Sequence, residues 1–179
     1  MEPFVFDKPV DREPHPAQLD PERLLKDVSL ARGRSGGPGG QHRNKVSTHV
    51  ELTHEPTGIS ASAGERREGE VNRKVALRRL RLALAIEYRM PVPAGDARSS
   101  LWRERCRDRK ILCATKHADY PAMLAEALDF IHDAGFDVKK AAVRLDTSMS
   151  QLVKLIKEDK HAWAKLNTDR EARGMSALK

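Results

Sequence analysis

Between residues 28 and 63 apolar side chains alternate with polar ones, whereas from residue 70 onward they recur every three or four positions. Thr48, Val50 and Leu52 alternate with His49, Glu51 and Thr53, and residues 59–63 resume the extended pattern after Glu55-Pro56-Thr57-Gly58. Period-2 runs separated by turn residues predict a β-hairpin. Val28, Leu30 and Arg32, alternating with Ser29 and Ala31, give a weaker strand signal. Residues 70–88 contain no Gly or Pro. There Val71, Val75, Leu82 and Ile86, with Leu77 or Leu80 between them, form a stripe at helical spacing. A short helix is predicted over 21–25, because Asp20 can cap it and Pro21 suits its first position. Longer helices are predicted over 100–113, 121–134 (closed by Gly135), 138–145, 150–158 and 161–172. The pattern therefore predicts an α+β fold, a small β-sheet with a packed helix, followed by an α-helical C-terminal domain. Its parts are an irregular arm at 1–19, a sheet-bearing domain at 20–90, a Pro/Gly linker at 91–97 and a helical accessory domain at 98–179.

Charge adds a location. The chain has 179 residues and a net charge of +7, but residues 1–30 hold 4 basic and 7 acidic groups, while residues 31–90 hold 12 and 6. Residues 91–116 hold 7 and 3, and the remainder balances at 10 and 10. A basic middle block suits a polyanion, nucleic acid above all, although a solvated surface would also account for a mild excess. The longest apolar run is residues 82–86, far short of a membrane span, and the N-terminus has neither a secretory nor a transit pattern. Cys106 and Cys113 have no metal-ligand spacing and no clustered His partners, so no metal, disulfide framework or cofactor is expected. A cytoplasmic protein with reduced thiols and no membrane partner is the expectation. A monomer is expected too, since no coiled-coil repeat is present. The 8 aromatic residues are too few for a base-stacking platform.

Residues 32–44 hold 5 of the 11 glycines and nothing that could pack a core. As a phosphate loop the segment fails, since no Gly-Lys-Ser/Thr follows. A plain flexible linker is a second reading, although a linker has no need of Pro38 between two glycine pairs or of a strand directly after it. The third reading is a loop that carries backbone into a crowded site. Gly39 and Gly40 free the main chain to approach a ligand, and the exposed N–H of Gln41 can donate to a reacting oxygen. Arg32, Arg34, Arg43 and Lys45 would hold phosphates on either side. Arg73, Lys74 and Arg78 on the predicted 70–88 helix, with Arg103 and Arg107 on the predicted 100–113 helix, extend that basic surface. There is no Ser/His/Asp set for covalent catalysis, and His42 reads as a phosphate contact or a solvated side chain.

Residues 34–45 (Arg34-Ser35-Gly36-Gly37-Pro38-Gly39-Gly40-Gln41-His42-Arg43-Asn44-Lys45) are followed by a hairpin with His54-Glu55-Pro56-Thr57-Gly58-Ile59 and then by Asn72-Arg73-Lys74-Val75-Ala76-Leu77. In this order and spacing the chain resembles the catalytic domain of class-I peptide chain release factors. It is also similar to the small ribosome-rescue peptidyl-tRNA hydrolases that share that domain. The resemblance covers about residues 20–90. It implies a peptidyl-tRNA hydrolase that cleaves the ester between nascent peptide and tRNA in the large-subunit peptidyl-transferase centre. The backbone N–H of Gln41 would stabilise the reacting oxygens, and its side chain would admit water while excluding larger nucleophiles. The resemblance also implies the ribosome, its large-subunit rRNA and peptidyl-tRNA as partners, and a glutamine methyltransferase acting on Gln41.

The chain departs from that pattern in three places. About 20 irregular residues precede the domain, too few for a stop-codon reader, so codon-independent release is expected. Rescue hydrolases usually end in a basic, unstructured tail, whereas residues after 116 are charge-balanced and patterned as helices. Arg67-Glu68-Gly69 stands where the family often has Arg-Ser-Gln. The helix pair at 138–158 resembles a helix-turn-helix of small DNA-binding regulators, with Lys154 and Lys157 facing outward; plain core packing or an rRNA or protein docking role suits it equally. The alternative to a hydrolase is a non-catalytic ribosome- or RNA-binding protein that uses the same domain to dock.

Overall fold

A computed structural model describes residues 9–33 and 48–179. The Asp20 carboxylate accepts from the Arg23 N–H at 2.9 Å and starts α1 (Pro21–Leu24), after which a 3-10 turn leads into β1 (Val28–Gly33). The expected hairpin is formed by β2 (His49–His54) and β3 (Ile59–Ala63). Its turn closes with the Gly58 N–H donating to the His54 carbonyl at 2.8 Å, with Gly58 at φ +69°. The three strands are antiparallel in the order β1-β2-β3, with Gly33 opposite His49 and Val50 opposite Ala63. Alternation becomes burial on β2: Val50, Leu52 and His54 point inward, and Glu51 points to solvent. Over that inner face lies α2 (Gly69–Glu87), which buries Ala76, Leu80 and Leu84 completely.

The opposite flank of α2 packs on α4 (Tyr120–Asp133), in which every residue from Tyr120 to Ile131 is buried. Around α4 stand α3 (Ser100–Arg105), α5 (Val138–Arg144), α6 (Met149–Lys157) and α7 (Lys160–Glu171). The sheet and the C-terminal helices thus share one hydrophobic cluster, with α2 common to both. Among the described residues, no helix is long and apolar enough to cross a membrane.

One predicted helix is corrected. Residues 100–113 do not form a single helix: α3 stops at Arg105, and β4 (Cys106–Arg107) pairs with β5 (Lys110–Ile111) in a two-stranded hairpin. Residues 103–110 carry seven charged groups and only Cys106 as an apolar one, so a continuing helix would have no stripe to bury. Asp108 and Arg109 instead turn the chain at φ 49° and 60°, the left-handed pair a tight hairpin requires. Cys106 and Ile111 then face each other against the core, and the Ile111 N–H donates to Gln151 on α6 at 3.1 Å.

Residues 9–19 and 88–99 are irregular but packed. His15 and Ala17 are fully buried, and Val92, Asp96 and Ala97 nearly so. Two buried acids on α4 hold these segments. Asp129 accepts from Arg12 at 2.6 Å, from Arg89 at 3.2 Å and from the Met90 N–H at 3.1 Å. Glu126 accepts from Gln18 at 2.8 Å and from the Ser99 N–H at 2.7 Å. Burial raises both carboxyls above their usual range, and the attached donors pull them back. Asp96 is held below its usual range by its hydrogen bond to Arg98.

Candidate functional site

The glycine-rich segment connects β1 to β2, and its two junctions lie side by side at one end of the sheet. Gly33, the last residue of β1, pairs with His49, the first of β2. Gly39, Gly40 and Gln41, together with Arg34, Arg43 and Lys45, lie outside the described residues. The base from which that segment departs is fully described.

Three features build the base. First, Asn72 on the first turn of α2 is completely buried and all its amide groups are engaged. Its Nδ2 donates to the Thr48 carbonyl at 2.7 Å and to the Arg66 carbonyl at 2.9 Å, and its Oδ1 accepts from the Arg66 N–H at 3.0 Å. A flipped amide would break all three bonds, so the donor pattern fixes its orientation. Second, the His49 ring lies over Gly64, where a Cβ would come within 2.7 Å of Nδ1. The glycine is needed there for the space it leaves, since its φ is ordinary. Third, the Arg79 side chain bridges Glu65 at 2.5 Å and the Ser62 carbonyl at 2.7 Å, tying the end of β3 to α2.

The basic residues singled out from sequence divide into two groups. Arg32 is exposed on β1 opposite Val50, one residue before Gly33. Arg73 and the exposed Lys74 follow Asn72 on the first turns of α2; Arg73 forms a long ion pair of 3.9 Å to Glu70. These three belong to the same end of the fold as the Gly33–His49 junction, together with the exposed Arg66 and Arg67.

The others stand elsewhere. Arg78 donates to the Lys116 carbonyl at 3.1 Å and also to the Thr115 carbonyl. Arg103 pairs with Asp96 at 3.2 Å, and Arg107, exposed on the small hairpin, donates to the Glu104 carbonyl at 3.2 Å. Arg81, whose guanidinium burial lowers its pKa, likewise holds the carbonyls of Ala17 and Ala118, at 2.8 and 3.0 Å. Much of the positive charge along α2 therefore ties the helix to its surroundings.

From sequence, Asn72 stands out only as part of a motif, and Gly64 and His49 do not stand out at all. An asparagine on the inward stripe of a helix, at 72 before 76, 80 and 84, was the available signal, since such a position demands polar partners. Among the described residues no cluster of His, Cys, Asp and Glu could hold a metal ion. On α6, Ser150, Lys154 and Lys157 face solvent beside an open groove lined by Met149, Val153 and Lys179.

Comparison with known proteins agrees with the loop, hairpin and helix order. The RF-1 domain matches residues 20–110, which extends past α2 through α3 and into the small hairpin. Peptide chain release factor 1 of Symbiobacterium thermophilum is 40% identical over 75 residues, 42% of this chain and 21% of that protein. The proteins of the same name from Nocardioides sp. and Streptomyces coelicolor are each 36% identical over 100 residues, 55% of this chain and 28% of theirs. The chain thus spans under a third of the length of these curated relatives. With the family match covering half of its residues, the chain belongs to the RF-1 domain family, that of the class-I release factor catalytic domain.

Proposed function

We propose that this protein hydrolyses the ester of peptidyl-tRNA on the ribosome without reading a stop codon. The observation that carries the reading is the position of Gly39-Gly40-Gln41 between two paired strand ends in an RF-1 domain. In this reading the glycines let the chain reach the ester, and the Gln41 N–H donates to the oxygen on which negative charge develops. A water molecule attacks the ester carbonyl carbon, the bond to the tRNA 3′ oxygen breaks, and that oxygen takes the proton released by the water. The Gln41 side chain restricts the nucleophile to water and is the group a glutamine methyltransferase would modify. Ribosomal RNA and tRNA supply the rest of the site, and the reading calls on no metal or cofactor.

Arg32, Arg34, Arg43, Lys45, Arg73 and Lys74 would contact RNA phosphates around the loop, and Arg107 would contact them from the hairpin. Arg78 and Arg103 enter this reading as residues that hold the fold, because their guanidiniums already bond the carbonyls of Thr115 and Lys116 and the carboxylate of Asp96. The helical region from residue 98 would act as an accessory module docking on ribosomal RNA, with the α5–α6 pair and its outward Lys154 and Lys157 as one contact. The protein would act in the cytoplasm as a monomer.

The test is peptide release from purified ribosome–nascent-chain complexes carrying a stop codon, a sense codon or no codon in the decoding site, with the downstream mRNA channel empty or filled. Release that ignores codon identity and is abolished by Gly40→Ala is expected. Co-sedimentation with ribosomes and no release, or full release by Gly40→Ala, overturns the catalytic reading in favour of a docking protein.

A further inference from the structure

We propose that the β4–β5 hairpin and α6 form one basic surface that grips the phosphate backbone of double-helical RNA; this rests on the ribosomal reading above. Two elements distant in sequence are locked together here. Thr147, fully buried in the turn between α5 and α6, donates its hydroxyl to the Arg109 carbonyl at 3.0 Å. The Arg109 guanidinium donates back to the Thr147 carbonyl, also at 3.0 Å, and the Ile111 N–H donates to the Gln151 side chain at 3.1 Å. Farther along, the Thr115 hydroxyl donates to Glu158. Gln151 and Glu158 lie about two turns apart on one flank of α6, so residues 109–115 run along that helix.

That packing puts the exposed cations of the hairpin, Arg107 and Lys110, beside the outward stripe Ser150, Lys154 and Lys157 of α6. The spacing i, i+4, i+7 keeps those three on one face, with Lys154 and Lys157 about 5–6 Å apart. The lysines that form ion pairs among the described residues are Lys140 and Lys165, so Lys110, Lys154 and Lys157 keep their charge for an outside partner. Of the neighbouring acids, Glu158 is engaged by Thr115 and Asp146 by Arg98 at 3.1 Å, and Asp108 at the hairpin tip stands among Arg107, Arg109 and Lys110. Charge complementarity thus selects a polyanion. The rings nearby give a single strand nothing to stack on: Trp102 and Tyr120 are fully buried, and the Lys157 ammonium sits over Trp163 at 4.8 Å. Point charges fixed on two interlocked elements suit instead the regular phosphate rows of an A-form duplex.

The experiment is fluorescence anisotropy of the full chain with a blunt RNA duplex of about 16 base pairs, its DNA counterpart and one of its single strands, across salt concentration. The variants are Lys154→Glu/Lys157→Glu, Lys110→Glu and, as a control with the same charge change as the double variant, Arg23→Glu/Lys26→Glu, exposed in and just after α1. Thermal melting establishes that each is folded at the assay temperature. Expected is tightest binding to the RNA duplex, with a log–log salt slope of about −4 for contacts by Arg107, Lys110, Lys154 and Lys157. The α6 double variant is expected to weaken binding roughly tenfold or more and to lower the slope by about two units, and Lys110→Glu by about one. The control is expected to bind within about threefold of wild type. Equal weakening by the control, no weakening by the α6 and hairpin variants, or tighter binding to the single strand overturns the proposal. A DNA duplex bound as tightly as the RNA duplex overturns the assignment to RNA. Peptide release by a wild type that does not bind the duplex overturns the proposal and leaves the hydrolytic reading intact, whereas duplex binding without release upholds the surface and overturns hydrolysis.

Discussion

His15 offers a direct test of how the N-terminal segment is held, because its ring is fully buried and both nitrogens are committed. Nδ1 accepts from the Ala17 N–H at 3.0 Å, which leaves Nε2 as the protonated nitrogen, donating to the Tyr88 carbonyl at 3.2 Å. A second proton would sit on Nδ1 and face the Ala17 N–H. Burial lowers the pKa from 6.5 to about 3; the bond to the Tyr88 carbonyl opposes this, and the nearby Arg89 and Arg12 cations add to it. Between those two values the unfolded chain binds a proton that the folded chain does not, so stability falls as pH falls through 6.5. At pH 5.5 the unfolded state gains roughly 1.4 kcal/mol, and between pH 7 and pH 5 the total loss is about 2 kcal/mol. For a chain of this size that is a drop of about 4–8 °C in Tm. Glu126 and Asp129, raised by burial, push in the opposite direction, so the wild-type profile alone would mix the effects. The assay is urea unfolding of wild type and His15→Gln at pH 7, 6 and 5. The variant is expected to start less stable, having lost a bond, and to lose about 2 kcal/mol less over the range. Parallel profiles for the two proteins would refute the assignment of a neutral, doubly bonded ring.

Other substitutions separate charge that holds the fold from charge that faces outward. Asp129→Asn leaves the buried Arg12 and Arg89 guanidiniums without their counter-charge and is expected to cost about 3–5 kcal/mol in denaturant unfolding; a loss below about 1 kcal/mol would contradict the role of that carboxylate. Trp102→Phe removes the Nε1–H that donates to the Leu145 carbonyl at 2.8 Å in a fully buried position, with an expected cost of about 1–3 kcal/mol and no change in ribosome affinity. Lys74→Glu is expected to leave Tm within a degree or two while weakening ribosome binding and lowering its log–log salt slope by about one unit. Arg78→Gln, on the same helix, is expected to do the reverse, lowering Tm through the lost Thr115 and Lys116 carbonyl bonds and leaving the salt slope unchanged.

Local patterns were readable where a residue's neighbours in sequence are also its neighbours in space. The β2–β3 hairpin and α2 follow from period-2 and helical spacing, and the edge strand β1 follows from a weaker version of the first. The glycine motif was legible as chemistry, and the Asn72 bonds beside its junction with β2 were not, because Thr48, Arg66 and Asn72 meet only after separate elements pack. The intramolecular partners of the basic faces were illegible for a related reason. Long arginine side chains on α2 reach backbone carbonyls at residues 17, 115, 116 and 118, contacts that no helical wheel contains. Charge density over 103–110 suggested a basic helix, yet without an apolar stripe the chain gains more by folding Cys106 and Ile111 back on the core. The acids of α4 are a third instance: nothing local in the sequence marks Glu126 and Asp129 as buried, and donors from residues 12, 18, 89, 90 and 99 converge on them and make their burial possible.

These non-local contacts give α2 a particular place in the molecule. Its first turn holds the Thr48 carbonyl, just before β2, through Asn72, and Arg78 and Arg81 on its middle turns fasten the 115–118 segment that leads into α4. Leu80 and Leu84 lie in the cluster that the sheet and the C-terminal helices share. A contact made by the helical region is therefore linked to the Gly33–His49 end of the sheet through a single helix, its shared apolar cluster and a handful of side-chain hydrogen bonds. Residues 91–97 reinforce that link, since Asp96 is bonded to Arg98 at 2.7 Å and its carbonyl accepts from the Val10 N–H at 3.0 Å. If docking of α5 and α6 on RNA directs the loop toward an ester, lengthening residues 91–97 should lower release only in part, because α2 against α4 carries most of the orientation and the packed connection the rest. Leu84→Ala, in the cluster that α2 shares with the sheet and the C-terminal helices, should reduce release more than binding.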